Sequence, residues 1–167
     1  GASVIQERTH AFAMKSTLLL LDPRPDLAVM VRMVEHGFAL SEASNMPAIL
    51  QLRIRTCHVR GSFACSDNAA PRISSRQPLA EPASFDYGRL AHPPVIYAHE
   101  KRKVEERTPA AQRYIVEHRL NEHLPGAVPG DDLAELGLIL QGGLYNSLIR
   151  ALQLAGLADA FGVTQRW

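Results

Sequence analysis

The chain has 167 residues, 46% of them apolar and 21% charged, with a formal net charge of +1. Those proportions are globular, enough for one ordinary core or for the end of one domain and the start of another. Acids and bases are interspersed, which argues against a nucleic-acid surface and against an acidic solvating tail.

Cys57 and Cys65 are too few for a disulfide framework, so reduced thiols in a cytoplasmic protein are expected. No apolar run approaches the length of a membrane span. Gly1-Ala2-Ser3 lacks the basic and apolar regions of a signal peptide. The absence of Met at this end fits either ordinary Met removal before a small residue or a boundary inside a longer chain.

In chain order, residues 2–16 read as a loop entering a short helical turn. Thr17 to Leu21 is a short apolar run closed by Asp22-Pro23-Arg24-Pro25, the pattern of a buried strand ended by a breaker. Pro25 or Asp26 opens a helix, where a missing proline N–H falls among the unpaired donors of the first turn. Leu27, Val31, Val34 and Phe38, with Met30, predict its contact face through about Ser44. Asn45-Met46-Pro47 stops it. Ala48 to Arg55 begins apolar and then alternates, which predicts a second strand with Leu50, Leu52 and Ile54 on one face. A helix of that length between two short strands is the signature of a right-handed parallel crossover.

Residues 61 to about 92 are punctuated by Gly, Pro and Ser and show no period, so a linker or long surface excursion is expected there. A charged helix follows from about Tyr97. Thr108-Pro109 then starts a new helix or bends the old one, which runs to about Glu122 with Ala111, Ile115 and Leu120 as contact positions. Leu136 to Leu140 reads as a strand. It turns at Gln141-Gly142-Gly143 into a helix carrying Leu148, Ala151, Leu152 and Ala155, with Gly156 at its C-terminal left-handed position. The fold class is therefore α/β: a parallel strand–helix–strand piece, a long linker, charged helices, then a strand–helix unit of a second α/β domain.

Several groups could carry chemistry. Gln141-Gly142-Gly143 sits where a strand meets a helix N-terminus, a place that binds phosphate. The full glycine fingerprint and the Lys-Ser/Thr pair are both missing, so close strand–helix packing is the simpler account. Cys57 or His58, after a strand, could serve as nucleophile, base or ligand. With Cys65 they do not make a zinc spacing, and a half-buried structural thiol is the plainer reading. His36 reads as a surface imidazole. His92, His99, His118 and His123 have nothing to orient them. Glu117 and Glu122 read with His118 and His123 as a solvated helix face. Lys101 to Arg107 alternates in sign, as an exposed paired helix or a docking surface would.

Three stretches together carry a family resemblance. The first is Gln6-Glu7-Arg8-Thr9-His10-Ala11-Phe12-Ala13 followed by Leu21-Asp22-Pro23. The second is Val34-Glu35-His36-Gly37-Phe38-Ala39-Leu40-Ser41-Glu42 with Met46 to Arg53 and Arg55-Thr56-Cys57-His58-Val59-Arg60-Gly61. The third is Leu136 to Gly143 and on through Leu154-Ala155-Gly156-Leu157. In this order they resemble the alpha portion of the indolepyruvate ferredoxin oxidoreductases, thiamine-diphosphate-dependent 2-oxoacid:ferredoxin oxidoreductases, and especially their long fused bacterial form.

The resemblance implies an enzyme that oxidatively decarboxylates arylpyruvates, or related 2-oxoacids, to acyl-coenzyme A and passes electrons through iron–sulfur clusters to ferredoxin. Its cofactors would be thiamine diphosphate, Mg and 4Fe-4S clusters, with the cofactor as the electron sink. It also implies domains: residues 1–61 as the end of a thiamine-pyrimidine-side α/β domain, 62–130 as linker and helical connection, and 131–167 as the start of a transketolase C-terminal-like domain. The glutamate that activates the aminopyrimidine would precede Gly1, and the diphosphate–magnesium motif would follow Trp167. Two cysteines cannot hold a four-cysteine cluster. Gln6, Glu7 and Arg8 alone match a loop near the cofactor, and no catalytic or metal-binding residue is implied. The expected partners are the remaining domains of the parent chain and, through it, ferredoxin and coenzyme A, with room for a homodimer and none for nucleic acid or membrane. The segment by itself is expected to be inactive. The alternatives are a stand-alone α/β binding or regulatory module without catalysis, and an independent enzyme using Cys57-His58.

Overall fold

The computed structural model describes residues 9–67, 92–124 and 137–164. The chain is α/β. Helix α1, Thr9–Ser16, buries Ala13 and leads into strand β1, Leu19–Leu21. Helix α2, Leu27–Ser44, then returns the chain to strand β2, Ala48–Leu50. The two strands pair in parallel, with Leu19 opposite Ala48 and Leu21 opposite Leu50. The strand–helix–strand crossover expected from the sequence is thus present.

The second strand is shorter than its alternation predicts. The Gln51 N–H donates to the Leu21 carbonyl at 2.8 Å, and the ladder goes no further. Across from it β1 has already ended at Asp22-Pro23, and proline offers no N–H. Residues 51–55 therefore find no partner to pair with. The chain turns at Arg53 into a short helix α3, Ile54–Cys57, and Leu52 and Ile54 are exposed.

Asp26 caps α2. Its backbone is extended, and its carboxylate accepts from the Val29 N–H at 3.0 Å. That hydrogen bond holds the Asp26 carboxyl below its ordinary 3.8, with Arg24 adding to the effect and burial opposing it. Asp26→Ala should cost about 1 kcal/mol, the usual value of an N-cap. A group with a lowered folded pKa stabilises fully above its unfolded value, and that help is lost as pH falls through the folded one. Urea unfolding of both proteins at about pH 7 and about pH 3 checks this, because the difference should shrink in acid.

The face of α2 that enters the core is not the one its strongest pattern suggests. Val29, Met33 and Leu40 are buried, whereas Val31, Val34 and Phe38 are exposed, Phe38 at 75%. Apolar residues run most of the way round this helix, so periodicity leaves its rotation open. The sheet and a later helix decide it. The core joins Leu21, Val29, Met33, Leu40, Ala111 and Leu120, with Leu19, Leu50, Tyr114 and Ile115 packed against them.

Ala111 and Leu120 arrive on a helical arm. Helix α4, Val95–Arg102, continues without a break through a π-turn, Lys103–Arg107, into α5, Thr108–Glu117. The π-turn has a local cause. Pro109 lacks an N–H, and its ring crowds the carbonyl four residues back, so the helix widens there rather than stopping. The arm ends at Glu117, short of the expected Glu122.

Four helices end in the same way. Thr17, Asn45, Arg119 and Gly156 take positive φ values of 52, 51, 50 and 70°. The next residue in each case, Leu18, Met46, Leu120 or Leu157, donates its N–H back to a carbonyl five residues earlier. This is the Schellman closure, in which an apolar residue after the turn folds back on the helix. Met46 and Leu120 are buried by it.

In the last described stretch, residues 137–140 form no strand, contrary to the sequence pattern, and Ile139 is fully exposed. Among the described residues they pair with neither β1 nor β2. A 3-10 turn, Gly142–Leu144, then leads into helix α6, Tyr145–Leu154. Among the described residues no helix is long and apolar enough to cross a membrane.

Candidate functional site

In parallel sheets, ligand-facing groups gather beyond the carboxyl ends of the strands. Here that position is occupied by Asp22, directly after β1, and Arg53, just after β2. The Arg53 guanidinium donates to the Asp22 carboxylate through Nη2 at 2.6 Å and through Nε at 3.2 and 3.3 Å. The same Nη2 also donates to the Gln141 side-chain oxygen. Asp22 is nearly buried, with 8% of its side chain exposed against 26% for Arg53. A forked guanidinium on a carboxylate is the strong form of such a pair.

Around this centre lies a second, wetter set of charges. Arg24 donates to both oxygens of Glu122 at 2.9 and 3.1 Å and to Asp26 at 3.2 Å, and its guanidinium lies 6.0 Å over the Tyr145 ring. Arg32 approaches Glu122 at 4.0 Å, and Arg55 donates to the Ser147 hydroxyl at 2.9 Å. Glu122 therefore ties the arm to the strand ends; it is not part of a solvated helix face.

The glycine turn closes the site. A Cβ on Gly142 would land on the Asp22 carbonyl oxygen, 2.5 Å from the Arg24 amide nitrogen. One on Gly143 would meet the Arg53 side chain and sit 2.6 Å from an Asp22 carboxylate oxygen. The two glycines serve close packing, and the space a phosphate would need above them is filled by this chain. The arrangement ties the ends of β1 and β2 to the turn that leads into α6 through Asp22, Arg53 and Gln141. It offers no open cradle for a diphosphate.

The other expected residues fare differently. Gln6, Glu7 and Arg8 lie outside the described residues. Cys57 is exposed at the end of α3, its thiol 3.9 Å from the Leu52 carbonyl, and the exposed His58 is the helix cap, so among the described residues the pair is not built against a base or a third group. Cys57 and Cys65 cannot supply four thiolates, and no group of three or more metal-ligating side chains forms among the described residues. An iron–sulfur cluster does not fit them.

A cluster the sequence does not reveal joins α2 to α5. His36 is half-buried, not a free surface imidazole. Its Nδ1 is hydrogen-bonded to the Tyr114 hydroxyl at 3.0 Å, and the His118 ring lies 5.5 Å from its own and 4.1 Å from Tyr114. His36 is 78 positions or more from the other two in sequence, so no local pattern could bring it to them. The Asp22–Arg53 pair did leave a signal, since each follows an apolar strand.

No family model and no solved structure matches the chain. Among curated proteins, the indolepyruvate oxidoreductase subunit IorA of Methanothermobacter thermautotrophicus is 28% identical over 152 residues, 91% of this chain. The chain spans 23% of that protein's length. It is distantly similar to an oxidoreductase subunit of that kind, over a stretch that is a minor part of it.

Proposed function

We propose that the chain is a structural segment of a thiamine-diphosphate-dependent 2-oxoacid:ferredoxin oxidoreductase, supplying frame and packing surface and not the catalytic set. The observation that carries this reading is the 28% identity along 91% of the chain. The closed strand ends support the second half of it, because Asp22, Arg53 and Gln141 are committed to one another.

The exposed apolar surface has a place in the same reading. Met33, Val34, Gly37, Phe38, Pro47 and Leu50 help line an open groove of about 410 Å³ beside β2. In a parent protein of which this chain is a minor part, the remaining domains would cover it. Leu138-Ile139-Leu140, exposed and unpaired among the described residues, would there find a strand partner and begin the second α/β domain at 131–167. The substrate would be an arylpyruvate or related 2-oxoacid, and electrons would leave to ferredoxin through parts outside this chain.

Two measurements test the proposal. The encoding reading frame should continue on both sides into thiamine-binding and cysteine-cluster motifs; a frame that starts and stops at these residues favours a stand-alone module instead. Calorimetric titration of this chain with thiamine diphosphate and magnesium should show no tight binding. Micromolar affinity would mean that the segment carries a cofactor site after all.

A further inference from the structure

We propose that His36, Tyr114 and His118 form an acid-sensitive latch, which holds the helical arm on α2 at neutral pH and releases it in mild acid. The latch is independent of the oxidoreductase reading. It rests on the interface between two helices that the core already joins through Ala111, with Leu120 just beyond the arm.

The geometry sets its state. At neutral pH the His36 imidazole is uncharged and one ring nitrogen can accept. Tyr114 supplies the proton for that bond, since burial first and Glu117 second push its phenol above the ordinary range. Protonating His36 turns both ring nitrogens into donors, so Nδ1 stops accepting. It also places a charge in a half-buried position 5.5 Å from the His118 ring. On its own helix Arg32 opposes that charge and Glu35 favours it; from α5 the opposing group is His118. The net effect of burial, His118 and Arg32 is to hold His36 below its ordinary 6.5.

The sign follows. A histidine that is harder to protonate when docked contributes its full stability above its unfolded value. That contribution falls as pH drops below 6.5 and is gone beneath the docked value. Release would do more than loosen a helix. Glu122, just beyond the arm, would leave Arg24 and Arg32, and two guanidinium groups would be uncovered beside the strand ends.

Hydrogen exchange of backbone amides in the whole chain, corrected for intrinsic rates, tests the latch between about pH 7.5 and about pH 5.5, the range in which a histidine switches. Protection in Thr108–Glu117 should fall several-fold in acid, while His36→Gln, which keeps a hydrogen-bonding side chain but does not titrate, should stay flat. An equal acid loss in the variant, no loss in the wild type, or a loss spread evenly over α6 would each overturn the proposal. If His36→Gln does not fold, NMR titration of the wild-type imidazoles decides: His36 must titrate below 6.5, and a value at or above it removes the latch.

Discussion

Gly142→Ala should cost about 3 kcal/mol, at the upper end of what overpacking typically does. The added methyl meets backbone and not a flexible side chain. It would lie on the Asp22 carbonyl oxygen, 2.5 Å from the Arg24 nitrogen and 2.7 Å from the Pro23 carbonyl carbon. Those atoms are pinned between the end of β1 and the cap of α2, with Pro23 and Pro25 stiffening the segment. The cheaper response is for the 3-10 turn to lift away, taking Gln141 off Arg53 and α6 away from the residues after the strands. Gly137→Ala is the matched control, since nothing lies within 4 Å of its added Cβ, and its effect should stay within about 0.5 kcal/mol. Urea unfolding followed by circular dichroism compares the two. Equal, small effects would mean that the glycine turn does not seat on the strand end.

The parts of this fold that were legible in the sequence are those decided by neighbours. Leu19–Leu21 before Asp22-Pro23, the capped start of α2, Gly156 at a helix end and the contact positions Ala111 and Leu120 all announce themselves locally. The parts that were not legible depend on what lies across the fold. Phe38 looks like a core residue until the sheet and arm select Val29, Met33 and Leu40. The alternation over Leu50 to Arg55 looks like strand until Pro23 removes its partner. Leu138 to Leu140 has strand composition but pairs with neither strand among the described residues. Thr17 and Arg119 take left-handed turns that residues of their kind rarely adopt, because the helix closure after them requires it. The site divides along the same line. Residues next to strand ends could be found by position, whereas the pairing of Glu122 with Arg24, or of His36 with Tyr114, arises only once the arm docks.

The Asp22–Arg53 pair should be the most costly polar contact in the described residues to break from one side. Asp22→Ala leaves a guanidinium that is three-quarters covered, 26% exposed, with the Gln141 oxygen to receive its protons among the described residues. Removing one partner from a fully buried pair costs about 3–5 kcal/mol; because Arg53 keeps some access to water, about 2–3 kcal/mol is expected. Arg53→Met alone should cost at least as much, since it leaves the Asp22 carboxylate, only 8% exposed, without its partner, although the methionine stem refills part of the space. The double variant should therefore be more stable than the sum of the two losses predicts, with a coupling of about 1–2 kcal/mol. Strict additivity in that cycle would show that the guanidinium fork contributes nothing as a pair. The same variants carry a second readout. Because one nitrogen of Arg53 serves both Asp22 and Gln141, Asp22→Ala should raise hydrogen exchange in α6 as well as in β2. Loss confined to the strands would mean that α6 is held by the glycine contact alone, and that charge does not join the helix to the sheet.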